Sequence, residues 1–149
     1  GAVTVGTMDG ANVEIYDAVG PENILIFGMS TPEVNELKRS GYVPQNYYNN
    51  NAEINNLINF ANKGIGGKMF GEISGTIVHH DPYMVLADFA DYRNIQKQAE
   101  EIWQDKKRWD KMSLMNIAGA GVFAADRSIN DYARDIWHVE KIDLRGKKK

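Results

Sequence analysis

A β-branched run that breaks into two glycines opens the chain, and it is the feature that most constrains the fold. Residues 3–5 favour a pleated, buried strand, while Gly6 and Gly10 permit backbone angles that other residues avoid. Asp9 is positioned to cap a helix by accepting a hydrogen bond from a free backbone N–H. The stretch is therefore predicted to form a strand, a tight turn and the start of a helix.

A second strand is expected soon after this helix. The helix should end at Gly20-Pro21, and residues 23–27, with three aliphatic side chains at their centre, favour an extended conformation. Together these elements predict a short βαβ unit. Such units occur in many α/β proteins, and the glycines do not match G-x-G-x-x-G, so the architecture assigns no function by itself.

Composition narrows the class of protein. A chain of 149 residues is long enough for one domain with a real core. Its 17 basic and 20 acidic residues give a net charge of -3, which provides no broad basic field for nucleic acid or a membrane surface. The absence of cysteine excludes disulfides and thiolate chemistry. No apolar run approaches the roughly 20 residues that span a bilayer, so we expect a cytoplasmic protein with neither of these partners.

Signals in the middle of the chain predict further helices. Ser30, Pro32 and Glu33 supply a hydroxyl cap, a residue suited to a first turn and an acid near the positive end of the helix dipole. This helix should be short and should end at Gly41. After a polar stretch over 42–51, apolar residues at i, i+3, i+4 and i+7 predict an amphipathic helix, and the glycine-rich residues 63–68 predict a loop. The apolar positions are Ile54, Leu57, Ile58 and Ala61.

The second half is predicted to be mostly helical. Residues 69–83 are ambiguous between helix and strand, because glycines that cost about 1 kcal/mol each in a helix interrupt apolar residues at helical spacing. Residues 85–87 are a second short strand candidate. Helices follow from Asp88, and Asp126 is expected to cap the last of them. The apolar face of that last helix is formed by Ile129, Tyr132, Ala133, Ile136 and Trp137.

Two polar clusters admit both a functional and a structural interpretation. His79-His80-Asp81 suggests a metal site, but adjacent histidines point to different faces and no third ligand has a useful spacing, so structural hydrogen bonding is preferred and no metal is predicted. Asp88, Asp91 and Tyr92 resemble a site of paired acids, but their position just before a predicted helix favours capping. Trp103, Trp109 and Trp137 are candidates for stacking on a sugar, but because they lie beside aliphatic residues at helical spacing they are expected in the core.

Two long motifs carry a resemblance to a known family, the α-glucan phosphorylases, which act on glycogen, starch and maltodextrin. The first resembles the signature that follows the cofactor lysine of these enzymes and reads Gly6-Thr7-Met8-Asp9-Gly10-Ala11-Asn12-Val13-Glu14. The second resembles their closing-helix motif and spans residues 123–137, although family members often carry serines where Ala124 and Ala125 stand. Intermediate landmarks lie in the family's order, and the similarity covers about residues 1 to 140.

The resemblance implies a retaining glycosyltransferase fold (the GT-B type) of two Rossmann-like domains, with pyridoxal phosphate bound by a lysine of the C-terminal domain. It implies that phosphate attacks the terminal α-1,4-linked glucose of a glucan and releases glucose 1-phosphate. The chain is expected to be the α/β C-terminal part of that catalytic domain. Strands and short helices would occupy about residues 1–89, a helical block about 90–138 and a tail 139–149.

The resemblance puts the family's cofactor lysine just before the position of Gly1. We therefore expect no catalytic residue in this chain and no pyridoxal phosphate bound to it alone. Lys38, Lys63 and Lys68 lie well after the motif and lack the context of a Schiff-base lysine. Polar groups after the first strand admit two interpretations: turn formation and helix capping, which is preferred, and support of the cofactor pocket from behind. They are Thr7, Asp9, Gly10, Asn12 and Glu14.

An alternative from a different class is a non-catalytic interaction module whose helical block docks on another domain. Its motivation is the apolar face of the last helix. Under either hypothesis the missing N-terminal portion of the same enzyme is an expected partner. Exposed apolar surface or an open sheet edge would also favour self-association of the isolated chain.

Overall fold

A parallel βαβ unit forms the first part of the molecule, as predicted. The computed structural model describes residues 1–140 and 142. Strand β1 pairs in parallel with strand β2, so that Val5 faces Leu25 and Gly6 faces Ile26. Both strands are only two residues long, shorter than the sequence predicted. The elements are β1 (Val5–Gly6), α1 (Ala11–Val19), a 3-10 turn (Pro21–Asn23) and β2 (Leu25–Ile26).

Helices make up all of the regular structure described after β2. This gives an α/β chain in which helix dominates. The helices are α2 (Thr31–Ser40), α3 (Pro44–Asn50), α4 (Ala52–Lys63), α5 (Gly71–His79), α6 (Val85–Gln104), α7 (Lys106–Gly119) and α8 (Ala125–Tyr132). A 3-10 turn (Ala120–Phe123) precedes α8, and a π-helical turn (Ala133–Trp137) follows it.

Helix α2 has the predicted boundaries. The Glu33 carboxylate accepts hydrogen bonds from the Ser30 N–H (2.7 Å) and the Ser30 hydroxyl (2.6 Å). The helix ends at Gly41, whose φ of 89° is left-handed. Local capping chemistry determines both ends, which is why the sequence was sufficient to locate them. The predicted amphipathic helix and the glycine-rich loop are likewise confirmed, as α4 and the connection from α4 to α5.

The predicted strand at residues 85–87 is wrong, because these residues begin helix α6. The carboxylate of Asp81 accepts hydrogen bonds from the N–H groups of Val85 (3.0 Å) and Leu86 (2.9 Å). These bonds satisfy free donors of a first helical turn and favour helix over strand. The ambiguous segment before it is also helical, as α5.

The same interaction corrects the predicted cap of α6. Asp88 and Asp91 lie inside the helix, so the capping carboxylate is that of Asp81, which is buried. The Tyr42 hydroxyl donates to Asp81 at 2.7 Å. Burial, followed by this hydrogen bond, raises the pKa of Tyr42 and keeps its phenol protonated as a donor. Structural hydrogen bonding by Asp81 is thus confirmed, while His79 and His80 lie exposed.

Two other predicted caps are wrong. Helix α1 has Gly10 at its N-cap, and the Asp9 carboxylate accepts the Thr7 hydroxyl at 2.8 Å instead of a helical N–H. Helix α8 has Ala124 at its N-cap, and Asp126 lies inside its first turn. Asp126 still interacts favourably with the helix dipole from within the first turn, so it marks the start of α8 although it is not the N-cap.

Two apolar clusters form the core. In the first, α4, α5 and α6 pack together; its buried members are Ile54, Ile58, Val78 and Leu86. In the second, the sheet packs on α6 and α7; its buried members are Leu25, Ile102 and Met112. Trp109 packs against the second cluster, as predicted. Trp103 and Trp137 are 48% and 55% exposed, so their predicted burial is wrong.

Buried amides join the βαβ unit to α7. The Asn116 amide donates to the carbonyl oxygens of Asn23 (2.7 Å) and Met112 (2.9 Å). Asn23 is itself buried and donates to the Val19 carbonyl at 2.7 Å. Each amide therefore satisfies a backbone group that would be costly to bury alone.

Helices α1 and α7 approach closely at Gly119. A Cβ at this position would lie 2.9 Å from Val19 Cγ1 and 3.0 Å from the Ala18 carbonyl oxygen. The backbone of α1 cannot move aside without disturbing the whole βαβ unit. Two residues further along the chain, a Cβ at Gly121 would meet nothing within 4 Å.

We predict that Gly119→Ala destabilises the chain by about 1–3 kcal/mol, because the added methyl group overpacks the contact between α1 and α7. Gly121→Ala is the matched control and should be neutral or slightly stabilising, because its methyl group enters open space. Urea denaturation of the three proteins, followed by circular dichroism, measures the difference. Equal unfolding midpoints for the two variants would contradict the close approach.

A second close contact fixes the loop after β2. Gly28 has a φ of 83°, and a Cβ here would lie 2.7 Å from Oδ2 of Asp88 on α6. Oδ1 of Asp88 accepts a hydrogen bond from the Met29 N–H at 2.9 Å. Gly28 thus combines a left-handed backbone with the absence of a side chain that Asp88 would meet.

We predict that Gly28→Ala costs more stability than Gly41→Ala. Both residues are left-handed, with φ near 83° and 89°, so backbone strain is shared, but an alanine at Gly41 meets nothing within 4 Å. The difference between the two losses of unfolding free energy therefore measures the steric clash of the Gly28→Ala methyl group with Asp88. Adding Asp88→Ala to Gly28→Ala should recover that excess, as a double-mutant cycle in urea can measure. Purely additive effects would refute the contact.

Candidate functional site

A cleft of about 300 Å³ lies where β1 and β2 end. The residues that follow each strand form part of its wall, and helix α2 and the start of α6 complete it. Ligands of α/β proteins bind in such crevices outside the carboxyl ends of parallel strands. We therefore take this cleft as the candidate functional site.

The wall of the cleft is chemically mixed. One part consists of apolar side chains, among them three flexible methionines: Met8, Met29, Val34, Pro82 and Met84. The other part carries hydroxyl, amide and charged groups: Thr7, Asp9, Thr31, Asn35, Lys38, Tyr83 and Asp88. Two carboxylates against one ammonium group leave the cleft with a formal negative charge.

The turn after β1 is held by side chains. The Asn12 amide donates to the Thr7 carbonyl oxygen at 2.8 Å, which ties the first turn of α1 back to the strand end. A Cβ at Gly6 would lie 2.5 Å from the nitrogen of that amide, so the absence of a side chain at Gly6 leaves the room that the Asn12 side chain occupies. The Thr7 hydroxyl in turn holds the Asp9 carboxylate. The turn is therefore braced on both sides.

Asp88 closes the cleft from the side of α6. Burial raises the pKa of its carboxyl group, an effect that the hydrogen bond from the Met29 N–H partly offsets. Nearby acids, first among them Asp91, raise the pKa further. Asp88 thus does more than shape a helix end: it links β2 to α6 at the cleft.

One residue of the cleft wall has an uncommon backbone conformation. Met84 is 3% exposed and has a φ of 57°, an uncommon conformation for a residue with a side chain. This backbone turn leaves the neighbouring Tyr83 85% exposed beside the cleft. Such strain persists only where the surroundings determine the conformation, and here Met84 is held in the interior.

The residues predicted to support a cofactor pocket divide into two groups. Thr7 and Asp9 line the cleft, and Asn12 braces it from behind. Gly10 is the N-cap of α1 and lies outside the cleft wall. Glu14 lines a different groove, between α1 and the turn after α7. Their role toward a cofactor stays a prediction.

The sequence interpretation missed several residues of the cleft wall. Met29 lies three residues beyond the end of β2, so the rule that ligands bind at strand ends could have indicated it. Asp88 was identified only as a capping candidate. Lys38 and Met84 carry no local signal, because the packing of α2 and α6 against the strand ends brings them to the cleft.

Among the described residues that line the cleft, Lys38 is the one lysine, and it lies there with Asp9 and Asp88, whose charges disfavour a phosphate group. Within residues 1–140 and 142, no three acidic or histidine side chains are arranged to hold a metal ion. None of the helices described is long and apolar enough to cross a membrane.

Comparison with known proteins finds phosphorylases both among family models and among individual relatives. The family model for carbohydrate phosphorylase matches residues 1–139. Glycogen phosphorylase from Synechocystis sp. is 40% identical over 146 residues, which cover 95% of this chain and 17% of that protein. The human muscle form is 40% identical over 94% of this chain, and the human brain form 39% over 97%.

These relatives are much longer than the chain, which spans only 17–18% of their length. Because the family model extends over nearly all of the described residues, the match includes the cleft, both apolar clusters and the closing helix. The chain belongs to the carbohydrate phosphorylase family.

Proposed function

We propose that the whole protein is an α-glucan phosphorylase that transfers terminal α-1,4-linked glucosyl units to phosphate and releases glucose 1-phosphate in the cytoplasm. The observation that carries this proposal is the family match over residues 1–139, together with relatives named glycogen phosphorylase at about 40% identity. The preferred glucan, whether glycogen, starch or maltodextrin, is left open by these matches.

In this proposal the chain is the C-terminal part of a Rossmann-like domain of the GT-B type. The parallel pair β1 and β2 with helix α1 between them is compatible with one edge of such a domain. Pyridoxal phosphate would supply an acid–base phosphate group to the reaction, and its lysine would belong to a part of the protein outside this chain.

In this proposal the chain positions neighbouring groups of the site, and none of its own residues takes part in bond making or breaking. The Asn12 amide donates to the Thr7 carbonyl oxygen, and the Thr7 hydroxyl donates to Asp9, so two side-chain hydrogen bonds hold the strand end that borders the cleft. Gly10 and Glu14 complete the turn and the first part of α1. Such bracing maintains the geometry of neighbouring groups, on which positioning effects in catalysis depend.

A second candidate function is favoured by one observation. The apolar face of α8 and the turn after it is exposed: Ile129, Tyr132, Ile136 and Trp137 are each 50–60% accessible. Tyr132 and Trp137 pack on one another with ring centroids 5.7 Å apart. An exposed apolar surface of this kind is typical of an interaction site, so the chain would serve as a docking module.

We predict that the 149-residue chain alone shows no pyridoxal absorbance and releases no glucose 1-phosphate from maltodextrin and phosphate. Mixed with the Synechocystis enzyme shortened by the aligned region, it should restore release. In that mixture Asn12→Ala should lower the rate, because it frees the Thr7 carbonyl, while Asn94→Ala on the exposed side of α6 should not. Glucose 1-phosphate from the chain alone would contradict the proposal.

The same exposed surface leads to a second prediction, self-association of the isolated chain, which is tested separately from docking on another domain. We predict that the isolated chain self-associates through its exposed apolar surface, and that Ile136→Glu with Trp137→Glu shifts it toward monomer. Sedimentation velocity over a range of concentrations measures this. As a control, Glu140→Lys also changes charge near the end of the helix but leaves its apolar face intact. A monomer at every concentration would exclude this surface as a self-association site.

A further inference from the structure

Asp9 and Gly10 form the one Asp-Gly pair in the sequence, and no Asn-Gly pair occurs in it. A backbone nitrogen can attack the side-chain carboxyl carbon of the residue before it. The attack is least hindered when that nitrogen belongs to glycine, which has no Cβ and adopts backbone angles closed to other residues. The pair lies in the turn between β1 and α1, at the wall of the cleft. This turn therefore combines the two groups of a main-chain rearrangement.

The nucleophile of such a reaction, the Gly10 nitrogen, is accessible. Gly10 precedes the first residue of α1, so its N–H is not part of the helical ladder of hydrogen bonds. It donates to no acceptor in the part of the chain that the structure describes. Gly10 is exposed, and a Cβ at this position would meet nothing within 4 Å. Neither a hydrogen bond nor neighbouring atoms hold this nitrogen away from the Asp9 side chain.

The electrophile, the carboxyl group of Asp9, is also weakly held. Asp9 is exposed, and its Oδ1 accepts the Thr7 hydroxyl at 2.8 Å. Among residues 1–140 and 142, no donor contacts its Oδ2. The buried Asp81 differs in both respects: its two oxygens accept N–H groups at the start of α6, and the residue after it is Pro82, which has no N–H. Oδ2 of Asp9 is therefore an oxygen that can leave.

The other described aspartates lack this combination. Asp105 lies outside the helices as the N-cap of α7, but its carboxylate accepts the Arg108 N–H at 3.1 Å and the nitrogen after it belongs to Lys106, which has a Cβ. Apart from Asp81, the remaining ones lie within helical segments, which hold the backbone in place. They are Asp17, Asp88, Asp91, Asp110, Asp126, Asp131 and Asp135.

We propose that Asp9 is a site of spontaneous modification, at which it isomerises to isoaspartate through a cyclic imide with Gly10. In the first step the Gly10 nitrogen bonds to Cγ of Asp9 and loses its proton. One oxygen of the protonated carboxyl group leaves as water, with its own proton and the one from the nitrogen. In the second step a water molecule opens the ring: its hydroxyl group bonds to one carbonyl carbon, the bond from that carbon to the nitrogen breaks, and the remaining proton goes to the nitrogen.

The position of ring opening determines the product. Opening at Cγ restores aspartate, whereas opening at the backbone carbonyl carbon leaves the chain connected through Cγ as isoaspartate. One water is released and one is consumed, so the mass of the chain does not change. In isoaspartate the former backbone carbonyl of Asp9, which accepts the Asn12 N–H at 3.1 Å, becomes a free carboxylate. The connection from β1 to α1 becomes one atom longer, so the modification alters the wall of the cleft.

Ageing of the purified 149-residue chain tests the proposal. Samples are kept at neutral pH and physiological temperature for several weeks, digested, and analysed by electron-transfer fragmentation, which distinguishes isoaspartate from aspartate. We expect isoaspartate of unchanged mass to accumulate at position 9 and to remain absent at position 105, the internal control. Methyl transfer from S-adenosylmethionine by a purified protein-isoaspartate methyltransferase should rise in parallel.

Two variants of Asp9 separate the chemistry from a failure to fold. Asp9→Glu keeps the charge but requires a larger ring, so the modification at position 9 should be lost. Asp9→Asn should accumulate isoaspartate faster than the parent chain, because an amide loses ammonia more readily than a carboxylate loses water. Circular dichroism verifies that each chain remains folded. Isoaspartate at position 9 no more abundant than at position 105, or an Asp9→Asn chain that stays unmodified, overturns the proposal.

Discussion

Packing of the two-stranded sheet against α6 and α7 is the interaction on which the rest of the structure depends. Two strands of two residues cannot be stable alone in water, so their alignment must come from what covers them. Leu25 of β2 packs with Ile102 of α6 and Met112 of α7 to form that cover. The cleft lies at the ends of the two strands that this apolar cluster covers.

Local signals in the sequence predicted the elements that local chemistry determines. The Ser30–Glu33 cap and the left-handed Gly41 set the ends of α2, and neither depends on distant residues. The start of α6 depends on Asp81, four residues ahead of it and itself supported by Tyr42 from another part of the chain. The hydrogen bond from Tyr42 spans 39 residues, and a contact of that range leaves no periodic signal, so residues 85–87 resembled a strand.

The candidate site was predictable in part for the same reason. Thr7 and Asp9 follow the first strand directly, and the rule for strand ends leads to them from sequence alone. Lys38 and Met84 reach the cleft through the packing of whole helices, which no spacing along the chain encodes. The exposure of Trp103 and Trp137 shows the same limit, because helical spacing identifies an apolar face but not what covers it.

The contact between Gly119 and α1 has a mechanical consequence. Helix α1 is nine residues long, about 14 Å, and it is clamped at both ends: Asn12 ties its start to the Thr7 turn, and Ala18 and Val19 press on α7. Because Gly119 leaves no space between the two helices, α7 and the turn that borders the cleft are joined through one helix of nine residues.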